Sequence, residues 1–458
     1  MAALLVVGGV LLAGSLEAAT IATRIEKDTI TVLAAGQDPT AQFALVFSRQ
    51  AGGIVGWYDL DRDPKMTVNL CSHGDTNAFA LFQNRAEMIA EGKEVTLFPG
   101  RAEEFRVLES SDIRAVVLIG GRFTTPAGVF PGEDMKKDVL EVTGRELKTP
   151  ERPGYQTRLT VYPTGRIYVR HLWEVGRMRR STQSVRYPGG HVEKREVEQR
   201  VGTPILLSSN RMILGTAPES DVVVLNDYAV ERRAFLEPAS FLLHHGSRDG
   251  FSASALLVAN YRKYRTDWLG QMMTFNRRRR GWLRSAFAVQ DGRAVMHPGK
   301  YVWHFLLQIE PSDIKTREAA MEYARDYLHP ARIRFVDGLG TLELGDVEDR
   351  QMDGFAEGRG CYVVNAADGG HVKMRIDAGK SSRYSPVFEI RHWSQEVPKF
   401  ITIDGSRRHV REHYDVHLDK DKLTLLYLGV LTPGVHTVEI GGASDTDGRK
   451  MESVTFFP

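Results

Sequence analysis

Between Tyr155 and Val175 the chain reads YQTRLTVYPTGRIYVRHLWEV, two alternating runs separated by Tyr162-Pro163-Thr164-Gly165. Proline suits the first central position of a type I turn, and glycine supplies the left-handed residue of a bulged hairpin. The spacing therefore predicts a β-hairpin. Side chains alternate across a strand. Ile167, Val169, His171, Trp173 and Val175 then share one face, and Arg166, Tyr168, Arg170 and Glu174 the other. Leu159 and Val161 on the first strand oppose Arg158 and Tyr162 in the same way. One face is apolar, and the other is a lattice of Arg and Tyr.

Signals of this kind recur from about Thr20 to Ile309, for example Phe43 to Phe47, Ile54 to Tyr58, Ile113 to Ile119 and Tyr301 to Ile309, with Gly, Pro and Asp clusters between them. That density of short strands, with little helix among them, predicts large antiparallel sheets. The strongest helical pattern is Ser312 to Leu328. Ser312 stands as its cap, Ala320, Tyr323, Ala324, Tyr327 and Leu328 form the apolar stripe, and His329-Pro330 stops it. Strands resume at 333–336, 361–365, 371–376, 387–392, 400–403, 423–428 and 437–440, which suits one β-sandwich. The expected order along the 458 residues is a leader at 1–19, a large β domain at 20–312, a linker helix at 313–330 and a sandwich at 331–458.

The first residues, MAALLVVGGVLLAGSLEAAT, fit a secretory signal peptide without its usual basic start, so a secreted or periplasmic protein is expected. No later run approaches a membrane span. Formal charge is +2, from 60 basic and 58 acidic residues, which gives no whole-molecule field for nucleic acid. The block Arg277-Arg278-Arg279-Arg280 is read as a glycan contact or a solvated loop. Two cysteines, Cys71 and Cys361, lie far apart and are expected as buried free thiols.

The run Phe43 to Phe47, followed by Ala51-Gly52-Gly53-Ile54 and Trp57-Tyr58-Asp59-Leu60, resembles the opening hairpin of galactose-mutarotase-like supersandwich domains. Trp393, Pro398 and Ile401-Thr402-Ile403-Asp404-Gly405 resemble the small β-sandwich that follows the catalytic domain in polysaccharide lyases and glycoside hydrolases. The resemblance implies an all-β chain: a supersandwich-like domain, a linker helix and a smaller C-terminal β-sandwich. It also implies a concave sheet face that binds a saccharide.

On that footing Arg158, Tyr162, Arg166, Tyr168 and Arg170 become a candidate site for an acidic polysaccharide or oligosaccharide, and β-elimination from a uronate is the expected chemistry. Arg forks onto the carboxylate, and a Tyr among cations moves the proton. The same face also suits a solvated surface of paired Arg and Tyr. His304 and Gln308 project from the polar side of their strand, so His304 is a second candidate for the proton transfer and Gln308 for substrate contact. His245, in the His244-His245-Gly246 segment, is a third candidate, and Tyr261, Arg262 and Tyr264 would extend a cleft. His171 shares parity with the core.

Binding without catalysis, and hydrolysis by a carboxylate pair defined only in space, stand as alternatives. No cofactor is expected. Asp59, Asp61 and Asp63 lack the glycine and terminal Glu of a calcium loop, and His409, His413 and His417 are too far apart on an extended chain to share an ion, so no metal is expected either.

Overall fold

The computed structural model describes residues 20–35, 42–71, 82–90, 93–125, 139–142, 145–148, 153–175, 177–201, 205–212, 223–226, 234–235, 239–248, 250–260, 271–277, 280–286, 289–290, 293–294, 299–309, 314, 316–346, 348–349, 352–367 and 369–441. The expected leader lies outside them. Strands dominate, and one helix interrupts them among the described residues, so the chain is all-β in class.

Strands Gly154–Val161 and Arg166–Val175 pair antiparallel, with Leu159 opposite Val169 and Arg158 opposite Arg170. Gly165 N–H donates to Tyr162 O at 3.1 Å, and Tyr162 N–H donates to Arg166 O at 2.9 Å. Gly165 has φ +75°, where a side chain would be strained. This is the bulged hairpin that Pro163 and Gly165 predict.

The hairpin occupies the middle of a thirteen-stranded sheet. Gly299–Ile309 pairs with its second strand, and Phe251–Asn260 and Ala239–Arg248 follow outward. Ala115–Thr124 pairs with its first strand, and Lys93–Ser110 follows. One face of this sheet packs on a four-stranded meander, Thr20–Ile25, Thr29–Ala35, Phe43–Ser48 and Gly53–Asp59. Ile167, Val169 and Trp173 meet Phe43, Phe47, Trp57 and Phe123 there. Each such side chain contributes roughly 1.5–3 kcal/mol by leaving water. His171 is fully buried on this side, its Nδ1 2.8 Å from Thr157 Oγ1, as its parity indicates.

The opposite face is covered by the helix and the C-terminal sandwich. The helix is Arg317–Leu328, and the Thr316 side chain caps it by accepting from Ala319 N–H at 3.1 Å. The cap therefore falls at Thr316 rather than at Ser312, which lies outside the described residues. Ala320, Ala324, Tyr327 and Leu328 are buried as their stripe predicts, but so is Asp326, and Tyr323 is only half-buried.

In the sandwich, one sheet runs Arg332–Phe335, His371–Gly379, Gly434–Gly441, Phe400–Ile403 and Ser406–Arg408. The other centres on Cys361–Asn365, Val387–Arg391, Lys422–Tyr427 and Tyr414–Asp419. The first two of these strands run parallel, an exception to the antiparallel rule elsewhere. The sandwich core, including Val372, Ile390, Trp393 and Leu425, is continuous with Tyr162, Tyr168, Leu256 and Leu306 of the large sheet. Cys71 and Cys361 are free and buried in separate cores, as expected. No helix among the described residues is long and apolar enough to cross a membrane.

Candidate functional site at the seam between the large sheet and the sandwich

The Arg and Tyr residues of the hairpin do share one face, and the neighbouring strand adds to it. Arg170 lies opposite His304 and Arg166 opposite Gln308 in register. His245 continues the Phe241 and Leu243 row of that face, hydrogen-bonded through Nδ1 to Ser254 Oγ. Pairing of the two strands thus brings the polar side of the hairpin and that of His304 and Gln308 together, which alternation within each strand does not determine. Tyr261, Arg262 and Tyr264 lie outside the described residues.

The face is neither an open groove nor a solvated surface. The segment Gly358-Arg359-Gly360 of the sandwich lies flat on it. A Cβ at Gly360, which has φ +66°, would collide with the Tyr168 ring, and one at Gly358 would stand 3.1 Å from His304 Cδ2 and 3.2 Å from Arg170 Cβ. Tyr168 and His304 are each 3% exposed. The space beside Tyr168, bounded by Arg166, Asp326 and Gly360, is a void of about 10 Å³, room for one water and not for a sugar ring.

Charge complementarity holds this seam. Arg166 Nη1 lies 2.7 Å from Asp326 Oδ2 of the helix, and Arg383 of the sandwich approaches the same carboxylate at 3.5 Å. Arg158 pairs with Glu348, and Arg170 Nε lies 3.4 Å from it. Tyr162 OH donates to Arg359 O at 2.9 Å, and Gln308 Nε2 donates to Thr164 O at 3.0 Å. Arg158, Tyr162, Arg166, Arg170 and Gln308 thus each have at least one protein partner, although Arg158 Nε, Arg166 Nη2 and Gln308 Oε1 are buried without a hydrogen bond.

Tyr168 does not become a phenolate. Burial raises its pKa; Arg166 pulls the other way, and Asp326 adds to the rise. The expectation that flanking cations activate Tyr168 is not met, because burial outweighs the pull of Arg166 and the Asp326 carboxylate adds to the rise. Burial, with the charge of Arg170 adding, likewise holds His171 neutral with a pKa lowered to about 3.

At one place the seam opens into a cavity of about 230 Å³. Its walls carry Arg158 from the large sheet, Arg114 from the turn that joins two of its strands, and Arg359 and Lys422 from the sandwich, against two carboxylates, Glu109 and Glu389. Arg114 is 2% exposed and binds Glu109 through Nε and Nη2 at 2.7 and 2.8 Å, and Glu389 through Nη2 at 3.3 Å. Burial opposes ionisation of Glu389, but Arg359 and Arg114 outweigh it and keep its pKa below the ordinary value. Arg114 does the same for Glu109. Of this constellation only Arg158 is among the residues that the strand alternation points to. The others come from five separate strands and loops and carry no shared motif.

Among the described residues no group of three or more His, Cys, Asp or Glu is placed to hold a metal. Asp63 instead accepts from Thr67 Oγ1 and Val68 N–H, which closes its own loop. His409 and His413 are not on an extended chain: His413 N–H donates to His409 O at 2.9 Å in a turn, and their rings are 6.0 Å apart.

No family model and no curated protein sequence matches the chain. Among solved structures, it is similar to a protein of Escherichia coli K12 named as an aldose 1-epimerase, at 9% identity and a TM-score of 0.26, over 64% of this chain and 99% of that one. A galactose mutarotase-like protein from Lactobacillus casei ATCC 334 is similar at 10% identity and a TM-score of 0.22, over 63% of this chain and 100% of that one. Superposition this weak carries no functional argument.

Proposed function

We propose that the chain is an exported protein that binds an acidic glycan, with the cavity between the large sheet and the sandwich as the contact for an acidic sugar unit. The observation that carries this reading is the cavity wall, where Arg114, Arg158, Arg359 and Lys422 face two carboxylates around about 230 Å³. Lys422 adds to that wall a cation whose ion pair, at 3.8 Å to an exposed Asp419, is long, and a cation in a pocket of that size favours an anionic ligand. The apolar N-terminal run supports export.

Binding, rather than cleavage, fits the geometry. β-Elimination at Tyr168 or His304 needs substrate contact, and both lie under the Gly358-Arg359-Gly360 segment. Hydrolysis needs one protonated carboxyl of a pair, whereas Glu109 and Glu389 are both held ionised. The test incubates the protein with immobilised and soluble polyuronates. Retention without unsaturated or reducing products is expected. An ultraviolet-absorbing product would reinstate the lyase reading, and absence of retention would remove glycan binding.

A further inference from the structure

The cations around the cavity are not equally available to a ligand. Arg114 is held by Glu109 and Glu389, and Arg158 by Glu348. Arg359 reaches Asp346 at 2.7 Å, Glu348 at 3.5 Å and Glu389 at 3.6 Å. A ligand acid group would have to displace a protein carboxylate from any of the three.

Lys422 is different. Its one ion pair among the described residues is with Asp419 Oδ2 at 3.8 Å, too long for a hydrogen bond, and the Asp419 side chain is 55% exposed. Such a pair is screened by water and holds the ammonium weakly. Although the charge of Lys422 also favours the ionised forms of Glu109 and Glu389, neither carboxylate forms an ion pair with it. The Lys422 side chain is 27% exposed, and it rises from the first residue of Lys422–Tyr427, the strand that follows the turn after Asp419. Across the cavity the large sheet contributes Leu108, 45% exposed, and Val116. A pyranose ring has an apolar C–H face and polar edges, so a wall of Leu108 and Val116 with a cation beside it suits one acidic sugar unit.

We infer that Lys422 is the residue that distinguishes an acidic sugar from a neutral one, its ammonium taking the ligand carboxylate while Leu108 and Val116 meet the ring. The inference rests on the reading that the cavity holds an acidic glycan. Three N–H donors, none spent on a short hydrogen bond to the described residues, are able to turn toward the incoming anion, and the long flexible stem allows it.

Calorimetric titration of the full chain with a galacturonate trisaccharide and with its carboxyl-reduced, neutral counterpart tests this. In Lys422→Gln the acidic trisaccharide weakens about tenfold, the scale of one charge-assisted hydrogen bond, while the neutral one is unchanged. Lys422→Arg keeps most of the preference. Equal weakening of both ligands by Lys422→Gln, or weakening of neither, overturns the assignment. Should the unsubstituted chain bind neither trisaccharide, the glycan reading falls, and sulfate-dependent thermal stabilisation decides about Lys422. A smaller sulfate effect in Lys422→Gln upholds it as the anion contact, and an identical effect removes it.

Discussion

Arg166 of the hairpin and Asp326 of the helix meet at 2.7 Å, and the same carboxylate receives Arg383 of the sandwich at 3.5 Å. One buried acid thus joins all three parts of the chain. Removing one partner of a buried pair leaves charge uncompensated, which costs about 3–5 kcal/mol. Asp326→Ala is expected to lose stability on that scale in urea unfolding, and Asp326→Asn less, since its amide oxygen still accepts. A loss under 1 kcal/mol in Asp326→Ala would show that the seam does not depend on this group.

The Tyr168 hydroxyl accepts from Arg166 Nη1 at 3.3 Å, and its ring fills the space under Gly360. Tyr168→Phe is expected to lose about 1 kcal/mol and to leave glycan retention intact. Tyr168→Ala opens a cavity and is expected to lose about 3–5 kcal/mol. Loss of retention in the well-folded Phe variant would return Tyr168 to the ligand site.

His171 gives the fold a pH dependence. Its folded pKa is about 3 against an ordinary 6.5, so its contribution is complete above pH 6.5 and falls as the pH drops toward 3. Within that window the unfolded chain takes up the proton first, at about 1.4 kcal/mol per pH unit. Denaturant unfolding between pH 7 and pH 4 is expected to show a shallower slope in His171→Gln than in the unsubstituted chain. Identical slopes would place the acid sensitivity elsewhere.

Asp415 has the opposite sign. Burial raises its carboxyl to about 6, with Arg411 opposing and Asp112 adding, and its Oδ2 has no hydrogen-bond partner. Its ionisation therefore costs stability as the pH rises from about 4 through 6. Asp415→Asn is expected to raise Tm at pH 7 by roughly 2–4 °C, the equivalent of about 1 kcal/mol, and to change little at pH 4. A pH-independent effect would mean that charge is not the cause.

Much of the local structure is legible in the residues themselves. Pro163 and Gly165 specify the turn, alternation assigns Val169 and His171 to one face and Tyr168 and Arg170 to the other, and the seven C-terminal strands fall where β-branched runs mark them. The helix cap is displaced to Thr316 because Ser312 and Thr316 are both able to accept from a first-turn N–H, and a pattern alone does not choose between them.

What covers each face was decided only by the tertiary structure. Alternation is a property of neighbouring residues, while burial depends on residues about 190 positions away, as in Tyr168 under Gly360 and Arg158 on Glu348. One trace of the contact was present: Gly358-Arg359-Gly360 is a segment whose missing side chains let a backbone lie flat on another surface. Nothing in that triplet names the surface. The Arg residues that look like part of a binding lattice in sequence are instead paired with carboxylates from the helix and the sandwich, Tyr162 and Tyr168 are buried, and the cavity that remains open draws Lys422, Arg359 and Arg114 from parts of the chain that only folding brings together.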